Sequence, residues 1–255
     1  MDYTQILGWL KSYKEKTQCK GVVVGLSGGK DSTVVAMLAK KIWGDDVLAV
    51  LMPNGIQSDL DDAVTIAKTL NLKYKIVNIG DIYKSIMDTI EWNEYMDSNG
   101  LPYRESTGIK VTDKAQTNIP PRIRMTVLYA IAQTMGYRVI GTGNYSEAYV
   151  GWCTKWGDCA YDFNPIAQVT CTEVVELGKI LARQFGLDKK FIVKSPADGL
   201  TGKTDEENLG FAYDDLDRYI MTGNGDEETV EKINTLHRNS KHKREMPKVC
   251  YFSKP

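Results

Sequence analysis

Six consecutive residues, Ser27-Gly28-Gly29-Lys30-Asp31-Ser32, carry the most pointed chemistry in this chain. They follow Val22-Val23-Val24-Gly25-Leu26, a β-branched run suited to a buried strand. Paired glycines between a strand and a helix let backbone N–H groups converge, and the helix N-terminus adds positive potential, so the turn suits an anion. Phosphate is the natural guest. Asp31 adds a hard carboxylate oxygen of the kind Mg²⁺ takes beside nucleotide phosphates. The commoner phosphate loops do not fit. G-x-x-x-x-G-K-[ST] needs glycine where Val24 stands and a hydroxyl where Asp31 stands, and G-x-G-x-x-G is absent as well. A plain strand–helix turn accounts for Gly28 and Gly29, but not for Ser27, Asp31 and Ser32 together.

The elements around this turn read as βαβ units. Helical periodicity covers 3–18, and a strand runs Gly21–Leu26. A helix starts near Asp31, with Val34, Val35, Leu38 and Ile42 on one face. Val47–Met52 is apolar enough to be a strand buried on both faces. Ser58 caps a helix to Leu70, followed by a strand at Tyr74–Ile79 and a helix from Asp81. Residues 93–117 are polar and aperiodic, which predicts a long functional or mobile loop. Pro120-Pro121 then predicts the opening of a helix. A strand at Arg138–Gly141, a glycine-rich loop over 143–164 and a helix at Thr172–Phe185 follow. A loop spans 195–204, and Thr204-x-x-Glu207 is a capping box whose helix carries Tyr213, Leu216 and Tyr219. Val230–Arg238 reads as a last helix. Strands alternating with helices imply a parallel α/β sheet with right-handed crossovers, which binds ligands beyond the carboxyl ends of its strands. The turn at 27–32 and the loops after 52 and 141 meet at that edge.

Composition narrows the function. The 255 residues suit one α/β domain with a helical extension, and 42% hydrophobic with 25% charged residues is ordinary for a globular chain. A net charge of −1 argues against a bulk nucleic-acid surface, although Arg238 to Lys248 is locally basic. No apolar run reaches the ~20 residues a membrane span needs, and the N-terminus lacks a signal-peptide layout. Five cysteines without a C-x-x-C pair predict reduced thiols in the cytoplasm. Two histidines argue against a His-rich zinc site.

A second constellation follows the fourth strand: Gly141-Thr142-Gly143-Asn144-Tyr145-Ser146-Glu147, then Thr154-Lys155-Trp156-Gly157-Asp158 and Asp162-Phe163-Asn164-Pro165. With S-G-G-x-D-S, Arg122-Ile123-Arg124-Met125, Pro196-Ala197-Asp198-Gly199-Leu200, Thr204-Asp205-Glu206 and His242-Lys243-Arg244, this series resembles NAD synthetase from residue 20 to 247. The resemblance implies a doubly wound, Rossmann-like fold of the adenine nucleotide alpha hydrolase kind, with an N-terminal helix (1–18), a nucleotide core (19–190) and a helical tail (191–255). It implies a ligase that adenylates the nicotinate carboxylate of deamido-NAD with ATP and passes the acyl group to ammonia. With the nucleotide strand starting at residue 21, no glutaminase domain is expected. Carried over by motif, Asp31, Glu147 and Lys155 are catalytic, with Asp31 and Glu147 as Mg²⁺ ligands. Gly25, Leu26, Ser27, Gly28, Gly29, Lys30, Asp31, Ser32 and Thr142 take ATP. Arg122, Lys155, Asp162, His242 and Lys243 take deamido-NAD. The resemblance also implies a homodimer with the dinucleotide at the interface, so that the basic tail would act on the neighbouring subunit.

Three positions depart from the family pattern. Cys171 stands where a phosphate-binding lysine is usual, Ala197 where Ser or Thr is usual, and Pro121 where alanine is usual. The missing lysine means that another cation substitutes or that ATP binds more weakly, by roughly 1.5–3 kcal/mol for one charge-assisted hydrogen bond. Lys30 is the nearest candidate by sequence, although an outward-pointing side chain is its plainer reading. Two alternatives stay open at this level: another adenylating ligase with the same loop, and a degenerate nucleotide-binding module.

Overall fold

A computed structural model describes residues 3–56, 59–194 and 204–251. The first half holds α1 (Thr4–Thr17), β1 (Val22–Gly25), α2 (Lys30–Trp43), β2 (Val47–Leu51), α3 (Leu60–Thr69), β3 (Lys73–Ile76) and α4 (Gly80–Glu91). Then come β4 (Trp92–Met96), β5 (Pro102–Ser106), α5 (Asp113–Met135), β6 (Arg138–Val139), α6 (Tyr145–Val150) and α7 (Cys171–Phe185). The remainder is helical: α8 (Lys190–Val193), α9 (Asp205–Leu209), α10 (Tyr213–Thr222), α11 (Glu227–Asn239) and α12 (Lys241–Arg244).

The central sheet is parallel, in the order β3-β2-β1-β6. The first three strands step outward in one direction, and β6 then pairs on the other side of β1. The strand order therefore reverses between β1 and β6, the place beyond whose carboxyl ends doubly wound sheets bind ligands. Side chains alternate across a strand, so each apolar run feeds two cores. Val22, Val24, Val47, Ala49 and Leu51 pack with α1, α2, α3, α7 and α8. Val23, Leu48 and Val50 pack with α4 and α5. Helices on both faces make the sheet doubly wound, as expected. A third apolar cluster, around Val150, Cys171, Phe211, Tyr213, Leu216 and Ile233, ties the C-terminal helices to α6 and α7.

Several local expectations are corrected. Residues 93–117 are not a structureless loop: β4 and β5 form an antiparallel hairpin, and α5 is already helical from Asp113. Asp97 closes the hairpin turn, its Oδ1 accepting from Asn99 N and Leu101 N at 2.8 Å each. Pro120 and Pro121 lie inside α5 rather than at its start, because Thr112 caps the helix by accepting from Ala115 N. Proline in a helix interior removes the N–H that the carbonyl four residues earlier would accept. Here both rings are buried, and Gly157 packs so closely that a Cβ there would lie 3.0 Å from Pro121 Cβ. The glycine-rich loop 143–164 contains the short helix α6. Tyr213, Leu216 and Tyr219 belong to α10, separated from the capping-box helix α9 by Gly210 in the left-handed region. The reduced-thiol expectation fails at one pair, since Cys153 and Cys159 are disulfide-bonded with Cα atoms 6.3 Å apart. Ser58 and the Pro196–Leu200 stretch with Ala197 lie outside the described residues.

Candidate active site

The loop between β1 and α2 is held by its own hydroxyls. Ser27 Oγ and Ser32 Oγ are 3.0 Å apart, Gly29 N donates to Ser27 Oγ at 3.2 Å, and Thr33 Oγ1 donates to Gly29 O at 2.7 Å. Gly28 has φ +88°, and a Cβ there would lie 3.0 Å from the Asp59 carbonyl. Glycine is therefore required on two counts, conformation and space. α2 begins at Lys30, so the loop presents a helix N-terminus to the crevice.

Asn144 joins this loop to the one after β6. It is fully buried and caps α6: its Oδ1 accepts from Glu147 N at 3.0 Å, and its own N donates to Glu147 Oε2 at 3.1 Å. Its Nδ2 donates to Asp31 Oδ1 at 3.0 Å. One residue thus fixes both carboxylates, Asp31 through its side chain and Glu147 through its backbone N–H. Burial, followed by the charge of Asp31, pushes the Glu147 carboxyl well above the usual carboxylate range, against the pull of Lys30. Lys30 does not point outward. It is 4% exposed, and its ammonium donates to Asp31 Oδ2 at 2.8 Å. Burial works against its charge, but Asp31 and Glu147 outweigh that and hold it protonated. Cys171 borders the same pocket, its thiol pushed up to about 12 by burial.

Behind these groups, Asp217 anchors two helix starts. Ser146 Oγ donates to Asp217 Oδ1, and Thr172 N donates to Asp217 Oδ2 at 2.8 Å. Cys171 N in turn donates to Ser146 Oγ at 2.9 Å. Asn144-x-x-Glu147 is a legible cap pattern, whereas nothing in sequence marks Asp217.

A cationic patch gathers four of the five residues assigned to the dinucleotide. Arg122 Nε donates to Lys155 O at 3.3 Å, and Lys155 Nζ donates to His242 O at 2.7 Å. Lys243 Nζ donates to Gly151 O at 2.7 Å and Cys153 O at 2.6 Å. Burial holds the Lys243 ammonium below its usual range, and the charges of Lys114 and Arg122 act in the same direction. The tail therefore sits on the chain's own loop 148–155. Thr154 pins that loop to α5 by donating to Asn118 Oδ1 at 2.7 Å. Asp162 is not in this patch: its Oδ2 accepts from Val139 N at 2.7 Å, on the β6 side. Thr142 is half-buried on the segment between β6 and α6.

A parallel sheet with a glycine-rich anion loop at its reversal point, and paired acids from two loops, defines an α/β nucleotide-binding protein of the pyrophosphate-loop class. A family model described as NAD synthase matches residues 2–247. The NH₃-dependent NAD⁺ synthetase of Carboxydothermus hydrogenoformans is 40% identical, over 96% of this chain and 95% of its own. Among solved structures, an NMN synthetase from Francisella tularensis superposes with TM-score 0.84 at 31% identity, covering 98% of this chain and 97% of that one. The NH₃-dependent NAD synthetase of Campylobacter jejuni superposes with TM-score 0.74 at 28% identity, covering 98% of this chain and all of that one. The chain belongs to the NAD synthase family.

Proposed function

We infer that this protein is an ammonia-dependent NAD synthetase, a ligase that converts deamido-NAD to NAD at the expense of ATP. The observation that carries the reading is the Asp31–Asn144–Glu147 junction beside the phosphate loop, in a chain matched by the NAD synthase family over residues 2–247. In the first half-reaction the nicotinate carboxylate oxygen attacks the α-phosphorus, and the bond to pyrophosphate breaks. In the second, ammonia attacks the acyl carbon, AMP leaves with the bridging oxygen, and the nitrogen loses a proton. The first half brings two anions together, so catalysis there rests on positioning and charge compensation, and the second rests on presenting neutral ammonia to the acyl carbon.

Gly25 to Ser32 and Thr142 take the nucleotide in this reading. Arg122, Lys155, His242 and Lys243 take the phosphates and the carboxylate of deamido-NAD, for which the clustered charges of Arg122, Lys155 and Lys243 are suited. Asp162 joins them on the resemblance alone. Asp31 and Glu147 are the residues that would hold Mg²⁺. They fit a hard cation, because two carboxylates share one buried, poorly solvated corner in which the charge of Asp31 already disfavours the ionised form of Glu147. When bound there, the ion supplies positive charge to the leaving pyrophosphate.

A homodimer, implied by the family resemblance, would cover exposed apolar side chains. β3 exposes Tyr74 and Ile76, α4 exposes Ile82, and the hairpin presents Tyr95, Met96 and Leu101. Among the described residues, no helix is long and apolar enough to cross a membrane. We place the enzyme in the cytoplasm, where ATP is supplied.

The Francisella neighbour favours a second substrate, since its name gives NMN rather than NAD as product. The deciding experiment offers deamido-NAD and nicotinate mononucleotide in parallel, each with ATP–Mg²⁺ and ammonium, and follows the amide, AMP and pyrophosphate. Equal molar release of NAD, AMP and pyrophosphate from deamido-NAD is expected. Faster turnover of the mononucleotide would move the substrate to the smaller acid. No AMP from either would refute a synthetase.

A further inference from the structure

Lys30 occupies an unusual place for a phosphate-loop lysine. Its ammonium is turned into the protein, 2.8 Å from Asp31 Oδ2 and 5.7 Å from the centre of the Tyr213 ring. The other oxygen of Asp31 accepts from Asn144, which also holds Glu147. Cys171, 4% exposed on the same pocket, is a thiol and brings no positive charge. Two carboxylates in such a corner need a cation, because a buried charge without a partner is strongly unfavourable. Lys30 is placed to be that cation.

We propose that Lys30 is a resident counter-cation of the Asp31–Glu147 pair, one that competes with a divalent metal for Asp31 and turns to the phosphate chain when the metal takes the carboxylates. The proposal rests on the reading of Asp31 and Glu147 as metal ligands. Its consequence is coupling. Without nucleotide, a metal must break an existing ion pair to enter, so it binds weakly. With nucleotide present, the displaced ammonium has phosphate oxygens to meet. Metal and nucleotide then favour each other's binding by the same factor.

The test is Mn²⁺ binding to the full chain without nucleotide, followed by electron spin resonance, in wild type, Lys30→Met, Lys30→Arg and Asp31→Ala. Lys30→Met is expected to bind Mn²⁺ at least about tenfold more tightly than wild type, as loss of a competing charge-assisted hydrogen bond implies. It should also show a smaller increase in Mn²⁺ affinity when a non-hydrolysable ATP analogue is added. Lys30→Arg keeps the charge and should stay near wild type. Unchanged or weaker binding by Lys30→Met, with binding abolished in Asp31→Ala, would overturn the counter-cation role and leave the metal ligands standing. Equally tight binding by Lys30→Met and Lys30→Arg would also overturn it. Unchanged binding in Asp31→Ala would remove the metal site itself, and the proposal with it. Should Lys30→Met be unfolded in chelator, recovery of the fold on adding Mn²⁺ supports the role, and failure to recover contradicts it.

Discussion

Asn144 uses its backbone N–H, side-chain oxygen and side-chain nitrogen to hold Glu147 and Asp31 in place. Its cap was legible in Asn-x-x-Glu, but its tie to Asp31 spans 113 residues and no local pattern announces it. Asn144→Ala should lose the cap, at about 1 kcal/mol of stability. It should also reduce Mg²⁺ affinity about 10–100-fold, the usual cost of removing a partner that orients a ligand. Metal titration against thermal unfolding separates the two effects. The phosphate loop was readable because glycine and hydroxyl positions are dictated by backbone geometry. The direction of Lys30 was not, because it depends on carboxylates brought in by a distant loop. Cys171 offers a chemical check on this pocket. Above its ordinary value of 9.0 the thiol ionises in the unfolded chain but not in the folded one, where burial raises it to about 12. Stability due to this group is complete below pH 9 and declines as pH rises toward 12. At pH 8 iodoacetamide should label exposed Cys250 and spare buried Cys19 and Cys171, as peptide mass spectrometry would show.

At the scale of elements, β1 and β2 are legible because both of their faces feed cores, whereas the exposed edge strand β3 is legible only from its place after a helix in the βαβ alternation. The β4–β5 hairpin was not, because every one of its positions is exposed and no buried face imposes alternation. Its signal was the turn chemistry of Asp97-Ser98-Asn99-Gly100. The start of α5 was misplaced for the opposite reason. The double proline at 120–121 is the stronger helix-start signal in sequence, while the cap at Thr112 sets the boundary. The joint between α6 and α7 depends on Asp217, which is 4% exposed and accepts from Ser146 and Thr172. Asp217→Ala leaves those donors unpaired, which costs about 2–3 kcal/mol. Calorimetry should show Tm falling by roughly 4–12 °C for a chain of this size. A fall of less than one degree would show that the joint is held elsewhere.

For the whole molecule, the two halves of the site are built differently. The anion loop belongs to the sheet, whereas the cationic patch is assembled by a tail laid over loop 148–155. Gly151 permits that contact: it has φ +71°, and a Cβ there would collide with the Ser240 side chain. Gly151→Ala should therefore lift the tail, weaken deamido-NAD binding several-fold and leave ATP binding near wild type, as isothermal titration with each ligand can measure. The consequence reaches to synthesis on the ribosome. β1 and the anion loop leave the exit tunnel early, long before Lys243, yet β6 must arrive before the reversal point exists, and α12 must arrive before the cationic patch is complete. On the proposed reading, a nascent chain assembles its anion loop before the patch proposed for the acyl substrate exists, so ATP in that interval would have nothing to adenylate.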